Sequence, residues 1–163
     1  MSESEMGWQR VLKAFDEWIY YESSEFGPYT GYFSLENLRD LTHGERASWM
    51  NSMVDEIIPG RIDRCREAAV AFEDFLPYMP DPDAREVVQS MIDLSQVIES
   101  DMLAMSDTIS SMKDDYEEGG LDEIVGYLSD LADGEENIRH HMSLFSQGFA
   151  KLRSLGLEMP DME

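Results

Sequence analysis

Two consecutive stretches of this chain repeat apolar residues at alternating intervals of three and four, and nothing else in the sequence narrows the possible folds so far. The first runs Val88, Met91, Ser95, Ile98, Met102, Met105, Ile109, Met112 and Tyr116. The second runs Leu121, Ile124, Leu128, Leu131, Glu135, Ile138, Met142, Phe145, Phe149 and Leu152. Such spacing holds a stripe on one side of an α-helix, and about four heptads of it make a coiled-coil-like seam. Each seam has one polar member, Ser95 in the first and Glu135 in the second. Gly119-Gly120 separates them, and so short a turn makes the two helices antiparallel neighbours. The fold class expected is therefore all-α: a helical bundle built on a long antiparallel C-terminal hairpin, with arms at about 82–117 and 120–155. Each arm is on the order of 50 Å long at ~1.5 Å per residue. Gly126, Gly134 and Gly148 each weaken the second arm by about 1 kcal/mol relative to alanine. The heptad phase passes through Gly134 without a slip, so a continuous or slightly bent helix is expected.

Three to four shorter helices precede the hairpin. Trp8, Val11, Leu12, Phe15 and Ile19 recur at helical spacing and predict a helix from about Ser4 to Ser24. Gly27, Pro28 and Gly31 then predict a break. Ser34 is placed to cap a short helix over Leu35–Leu41, and Thr42 with Glu45 has capping-box spacing. The following helix carries Trp49, Met50, Met53, Val54, Ile57 and Ile58 on one face. Pro59-Gly60 interrupts it, giving either a kinked long helix or two helices. The resumed pattern is Ile62, Cys65, Ala69, Phe72, Phe75 and Leu76. Residues 77–83 hold three prolines and form the clearest linker, with Asp81 as cap and Pro82 in the first turn of the next helix. One domain over 1–163 is expected: N-terminal helices to residue 80, the hairpin over 81–156, and an acidic tail at 157–163.

Charge is the second constraint. Asp and Glu number 35 against 12 Lys and Arg, for a net charge of -23. Nucleic acid and anionic membrane would both be repelled, so neither is expected as a direct partner. A basic protein would be drawn in. Adaptation to high salt is the alternative meaning of the acidity. The N-terminus lacks the basic and apolar regions of a signal peptide, and no apolar run approaches the ~20 residues of a membrane span. A cytoplasmic protein is the expectation.

No residue pattern names a reaction. The single cysteine, Cys65, lies in an apolar helical phase and reads as a buried thiol. The histidines, His43, His140 and His141, form no Glu-x-x-His pair, and Glu136 with His140 supplies at most two ligands. Glu135 reads as a register device or an edge residue of the seam rather than an acid–base catalyst. No catalytic residue, metal or cofactor is expected, and the chain is read as a non-enzyme. The seam methionines Met91, Met102, Met105 and Met112 read as core gap-fillers.

Two stretches are candidates for contact. Between Glu86 and Ile138 lie fifteen acidic residues and one basic residue, Lys113. They are densest at the hairpin tip: Asp114, Asp115, Glu117, Glu118, Asp122 and Glu123. The second stretch is aromatic, from Trp18 to Phe33, with Tyr21, Phe26, Tyr29, Tyr32 and Phe33 as possible interface anchors. The function expected is an acidic inhibitor that neutralises a basic protein by occlusion. The partner would be a toxin, a nuclease or a nucleic-acid-binding protein. The narrowest forms are a cytoplasmic immunity protein against a cognate toxin and an anti-defence inhibitor. A nucleic-acid mimic is one alternative. Another is a structural or chaperone-like bundle that self-associates, with a homodimer formed through the hairpin.

Overall fold

The computed structural model describes residues 2–155, so the acidic tail expected at 157–163 lies outside the described residues. Helix α1 (Glu3–Tyr21) starts at Ser2, whose hydroxyl accepts from Glu5 N while the Glu5 carboxylate accepts from Ser2 N. Helices α2 (Gly27–Thr30) and α3 (Leu35–Arg39) are short, and Ser34 caps the latter as expected. Helix α4 (His43–Ser52) begins at the Thr42–Glu45 capping box, α5 spans Ile58–Phe75, and a 3₁₀ turn covers Leu76–Tyr78. The hairpin is α6 (Pro82–Gly119), a 3₁₀ turn (Leu121–Ile124) and α7 (Val125–Ser154). Asp81 caps α6 through Ala84 N. With 38 residues α6 is about 57 Å long. Gly120 takes a φ of 76°, the left-handed turn that ends α6. Gly126, Gly134 and Gly148 lie inside α7 without interrupting it.

Neighbouring helices are antiparallel throughout. Trp8 meets Phe75 and Tyr21 meets Ile57, so α1 and α5 run in opposite directions. Cys65 meets Ser95, Arg66 meets Glu99 and His43 meets Tyr116, which sets α4–α5 against α6. Tyr127 meets Asp115 and Asn137 meets Asp101 along the hairpin. Trp8 on Phe149 and Phe15 on Phe145 close α7 onto α1. The result is an up-down-up-down four-helix bundle. Its fourth corner is filled by aromatic rings, with Phe72 stacked on Phe145 at 5.9 Å. Trp8 and Trp18 bring buried indole N–H groups into this layer with no acceptor among the described residues. That costs about 1–3 kcal/mol each.

Every member of the first seam is buried, and so are all but Leu121 and Met142 of the second. The seams are satisfied within one chain, so neither offers an open apolar stripe to a second copy. Ser95 is accommodated because its hydroxyl donates to Met91 O one turn back, while its own carbonyl accepts from the Cys65 thiol. Burial pushes that thiol up to about 12, as expected for a structural cysteine.

The break expected at Gly27-Pro28 does not occur, and of the two alternatives at Pro59-Gly60 the chain takes the continuous helix. A proline ring crowds the carbonyl four residues earlier and brings no N–H to the ladder. Those carbonyls belong to Ser24 and Asp55, and both fall within π-helical segments, Glu22–Phe26 and Met53–Ile57. The widened turns close with Gly27 N–H donating to Glu22 O and Ile58 N–H donating to Met53 O. Each proline follows two residues after its π segment. The extra residue per turn makes room for the ring, so the chain stays helical from α1 into α2 and from α4 into α5.

Gly60 has a different role. Tyr21 lays its ring on this turn and donates its hydroxyl to Ile57 O at 2.8 Å. A Cβ at Gly60 would stand 2.2 Å from that hydroxyl oxygen. The glycine is there for close approach, not for a turn.

Candidate binding surfaces

The buried face of α5 includes Ile58, Arg61, Cys65, Ala68, Phe72 and Phe75, which places an arginine in the core. Arg61 is 0% exposed. Its Nε and Nη2 donate to the two oxygens of Glu22 at 2.6 and 2.5 Å, and its Nη1 and Nη2 donate to those of Glu135 at 2.8 and 3.0 Å. Its guanidinium carbon lies 3.7 Å above the centre of the Phe26 ring. Arg139, one turn beyond Glu135 on α7, adds a further donor to that carboxylate at 2.9 Å. Burial raises the Glu22 carboxyl above its ordinary range, and the Arg61 hydrogen bonds only partly oppose this. Burial alone would lower the Arg61 pKa, but the bonds and charges of Glu22 and Glu135 more than reverse it.

Glu135 is thus the acceptor in a buried double fork. It neither marks the seam edge nor acts merely as a register device. Its oxygens accept from two arginines. Glu22 and Arg61 escaped the sequence reading, although both carry a signal. Glu22 continues the Phe15, Trp18 interval of α1, and Arg61 continues the Ile58, Cys65 interval of α5. Charges in core phase on three separate helices are a cue to look for one another.

The hairpin tip is the opposite case. Asp114, Glu117, Glu118, Asp122 and Glu123 are exposed. Asp115 is half-buried and accepts from the Tyr127 hydroxyl, which holds the phenol's proton and raises its pKa. Among the described residues no Lys, Arg or His forms an ion pair with any of the six. Four of the carboxylates crowd the last two turns of α6, at the negative end of the helix dipole, and no basic residue occupies its last turn. The end of α7 carries Lys151 and Arg153, as the dipole favours.

The aromatic stretch is divided by the fold. Phe26 is in the core under Arg61, 1% exposed, and is unavailable to a partner. Its place in the π segment turns it inward. Tyr21 is half-buried against α5, with burial raising its pKa. Tyr29, Tyr32 and Phe33 lean on α4, where the Trp49 indole is edge-on to Tyr32 and Phe33 and donates to Tyr29 O at 3.2 Å. Arg46 holds α3 by donating to the carbonyls of Leu38 and Arg39.

Helix α4 links the two candidate surfaces. His43, the first residue of α4, stacks on Tyr116 at the end of α6 and shares a 2.8 Å hydrogen bond with its hydroxyl. Trp49 follows less than two turns later, about 9 Å along the helix. Tyr29 and Tyr32 therefore lie at the same end of the molecule as the acidic tip.

Among the described residues no three His, Cys, Asp or Glu side chains are grouped to hold a metal ion, and Glu136 and His140 are both exposed. No described helix is long and apolar enough to cross a membrane. The chain matches no protein-family model, no curated protein and no solved structure.

Proposed function

We propose that this chain is a binding protein that neutralises a basic partner protein by covering its working surface, with the hairpin tip leading the contact. One observation carries this reading. Asp114, Asp115, Glu117 and Glu118 stand against the α6 dipole with no cation paired to them, an arrangement that weakens the helix end. A cationic surface would supply the missing charge. In its narrowest form the partner is a toxin and this chain its immunity protein; an anti-defence inhibitor has the same physical character. The carboxylates farther along the rod are partly engaged, Asp101 by Asn137 and His141 and Glu99 by Arg66. That favours a tip contact over a mimic of nucleic acid, which would need free charge along the whole rod.

The test is capture of partners from the native host by immobilised wild type and by a variant with Asp114, Glu117, Glu118 and Asp122 changed to Lys. A basic protein held by the wild type, released by salt and lost with the variant supports the reading. Equal capture by both proteins removes it.

A further inference from the structure

Among the described residues no other element covers the outer side of α4. With Tyr29, Tyr32 and Leu41 as a wall on one side it forms a shallow groove, and on the other side its bare face runs from Gly44 toward Asp55, about 17 Å or three helical turns. Two clefts of about 510 and 390 Å³ join along it and share Gly44, Ser48 and Ser52, which follow one another at every fourth residue. These side chains end at a hydrogen or a hydroxyl, so another backbone can come close; helix axes approach to ~8 Å over small residues. Tyr29, Tyr32, Leu41 and Trp49 line the first cleft. The wall is already ordered: Trp49 is hydrogen-bonded to Tyr29 O and packed edge-on against Tyr32. A partner would therefore lose little freedom in arranging it. Glu45, Asp55 and Glu56 are exposed where the clefts open, and neither cleft has a lysine or arginine in its lining. Arg46, the nearest candidate, is turned toward the carbonyls of Leu38 and Arg39.

We infer that this groove seats a cationic amphipathic helix of the basic partner, with apolar side chains over Ser48 and Ser52 against the tyrosine wall and Lys or Arg reaching the rim carboxylates. The groove opens beside the His43–Tyr116 contact, so a helix lying in it is continuous with the acidic tip. This rests on the reading of the chain as a binder of basic proteins and deepens it: the tip attracts, and the groove recognises. A second copy of this chain is a poorer occupant, because its net charge of -23 opposes an acidic rim.

The probe is a synthetic peptide of about four turns with leucine at every third or fourth position and lysine elsewhere, beside a scrambled peptide of the same composition. Binding is followed by fluorescence anisotropy and mapped by amide chemical shifts on the wild-type protein. The patterned peptide is expected to bind at least tenfold tighter than the scrambled one and to shift Gly44, Ser48 and Ser52. Filling the floor with Ser48→Leu and Ser52→Leu removes that preference while leaving the weaker, salt-sensitive binding of the scrambled peptide. Equal binding of the two peptides, absence of binding by both, or shifts confined to the tip overturns the groove. So does a dimer in sedimentation that the floor-filled variant abolishes, since the occupant is then a second copy. The tip reading fails separately, if lysine substitution at Asp114, Glu117 and Glu118 leaves the salt dependence of scrambled-peptide binding unchanged.

Discussion

Carboxylates in two parts of this molecule live under opposite rules. Glu22 and Glu135 lie in the core, gripped by a fully buried arginine and held from three helices. The tip carboxylates are mostly exposed and form no ion pair among the described residues, and four of them stand at a helix end that disfavours them. Desolvation explains the difference. A charge out of water must be paired or it is lost to protonation, so the fold supplies Arg61 where it has to. A charge in water costs little individually, so the fold leaves the tip uncompensated and its field intact. With few cations in the chain, pairing one in the core and none with the tip carboxylates separates a lock from a lure.

The largest expected effect breaks the lock. Arg61→Met leaves two buried carboxylates without their common partner and should cost about 3–5 kcal/mol, read from urea denaturation. A loss below about 1 kcal/mol would show that the cluster does not hold α1, α5 and α7 together. Adding Glu22→Gln and Glu135→Leu to that variant should recover most of the loss, because the charges themselves are then gone.

Next comes the turn beside the lock. Gly60→Ala drives a methyl into Tyr21 and should destabilise by about 1–3 kcal/mol. Combining it with Tyr21→Phe removes the nearest atom and should relieve part of the strain. If the alanine variant unfolds at the wild-type midpoint, the Tyr21–Ile57 contact is looser than described.

The tip should respond in the opposite direction. Neutralising Asp114, Glu117 and Glu118 to their amides should raise Tm by a few degrees at low ionic strength, and the gain should fade at about 0.5 M salt as screening takes over. A fall in Tm would mean that the tip charges are structural after all, and the contrast with the core would collapse.

The smallest effect is a pH dependence. Burial raises the Glu22 pKa above its ordinary 4.5, so the folded chain takes up this proton at a higher pH than the unfolded chain. Stability from this group is therefore fully present below 4.5 and is lost as pH rises through the folded value. Glu22→Gln lacks that increment. The advantage of wild type over the variant should grow as pH falls from 7 toward 4.5, measured as the difference in urea midpoints. A gap that shrinks on acidification would mean that Glu22 is held ionised by Arg61, with its pKa lowered.

Some of this was legible in the chain. The seams, the Ser34, Thr42 and Asp81 caps and the glycine turn are short-range signals, readable because helical phase and capping involve residues three or four apart. Pro28 misled because the rule that a proline ends a helix assumes α geometry, whereas a π turn absorbs the ring and the helix continues; at Pro59 the same device decides for one continuous helix over two. The aromatic segment was readable as a cluster but not as a surface: Phe26 turned inward while Tyr29 and Tyr32 stayed at a groove edge, and only the packing against α4 separates them.

By itself the sequence determined an all-helical chain, the length and direction of its C-terminal hairpin, and a negative field concentrated at one tip. Those follow from periodicity and charge, which accumulate locally along the chain. Tertiary structure alone decided that Arg61 would find Glu22 and Glu135, which lie 39 and 74 residues away, and that His43 would meet Tyr116 and bring the aromatic groove beside the acidic tip. Which buried charges pair, and which surfaces become neighbours, depends on how four amphipathic helices turn their apolar faces to a common core, and no local pattern encodes that choice.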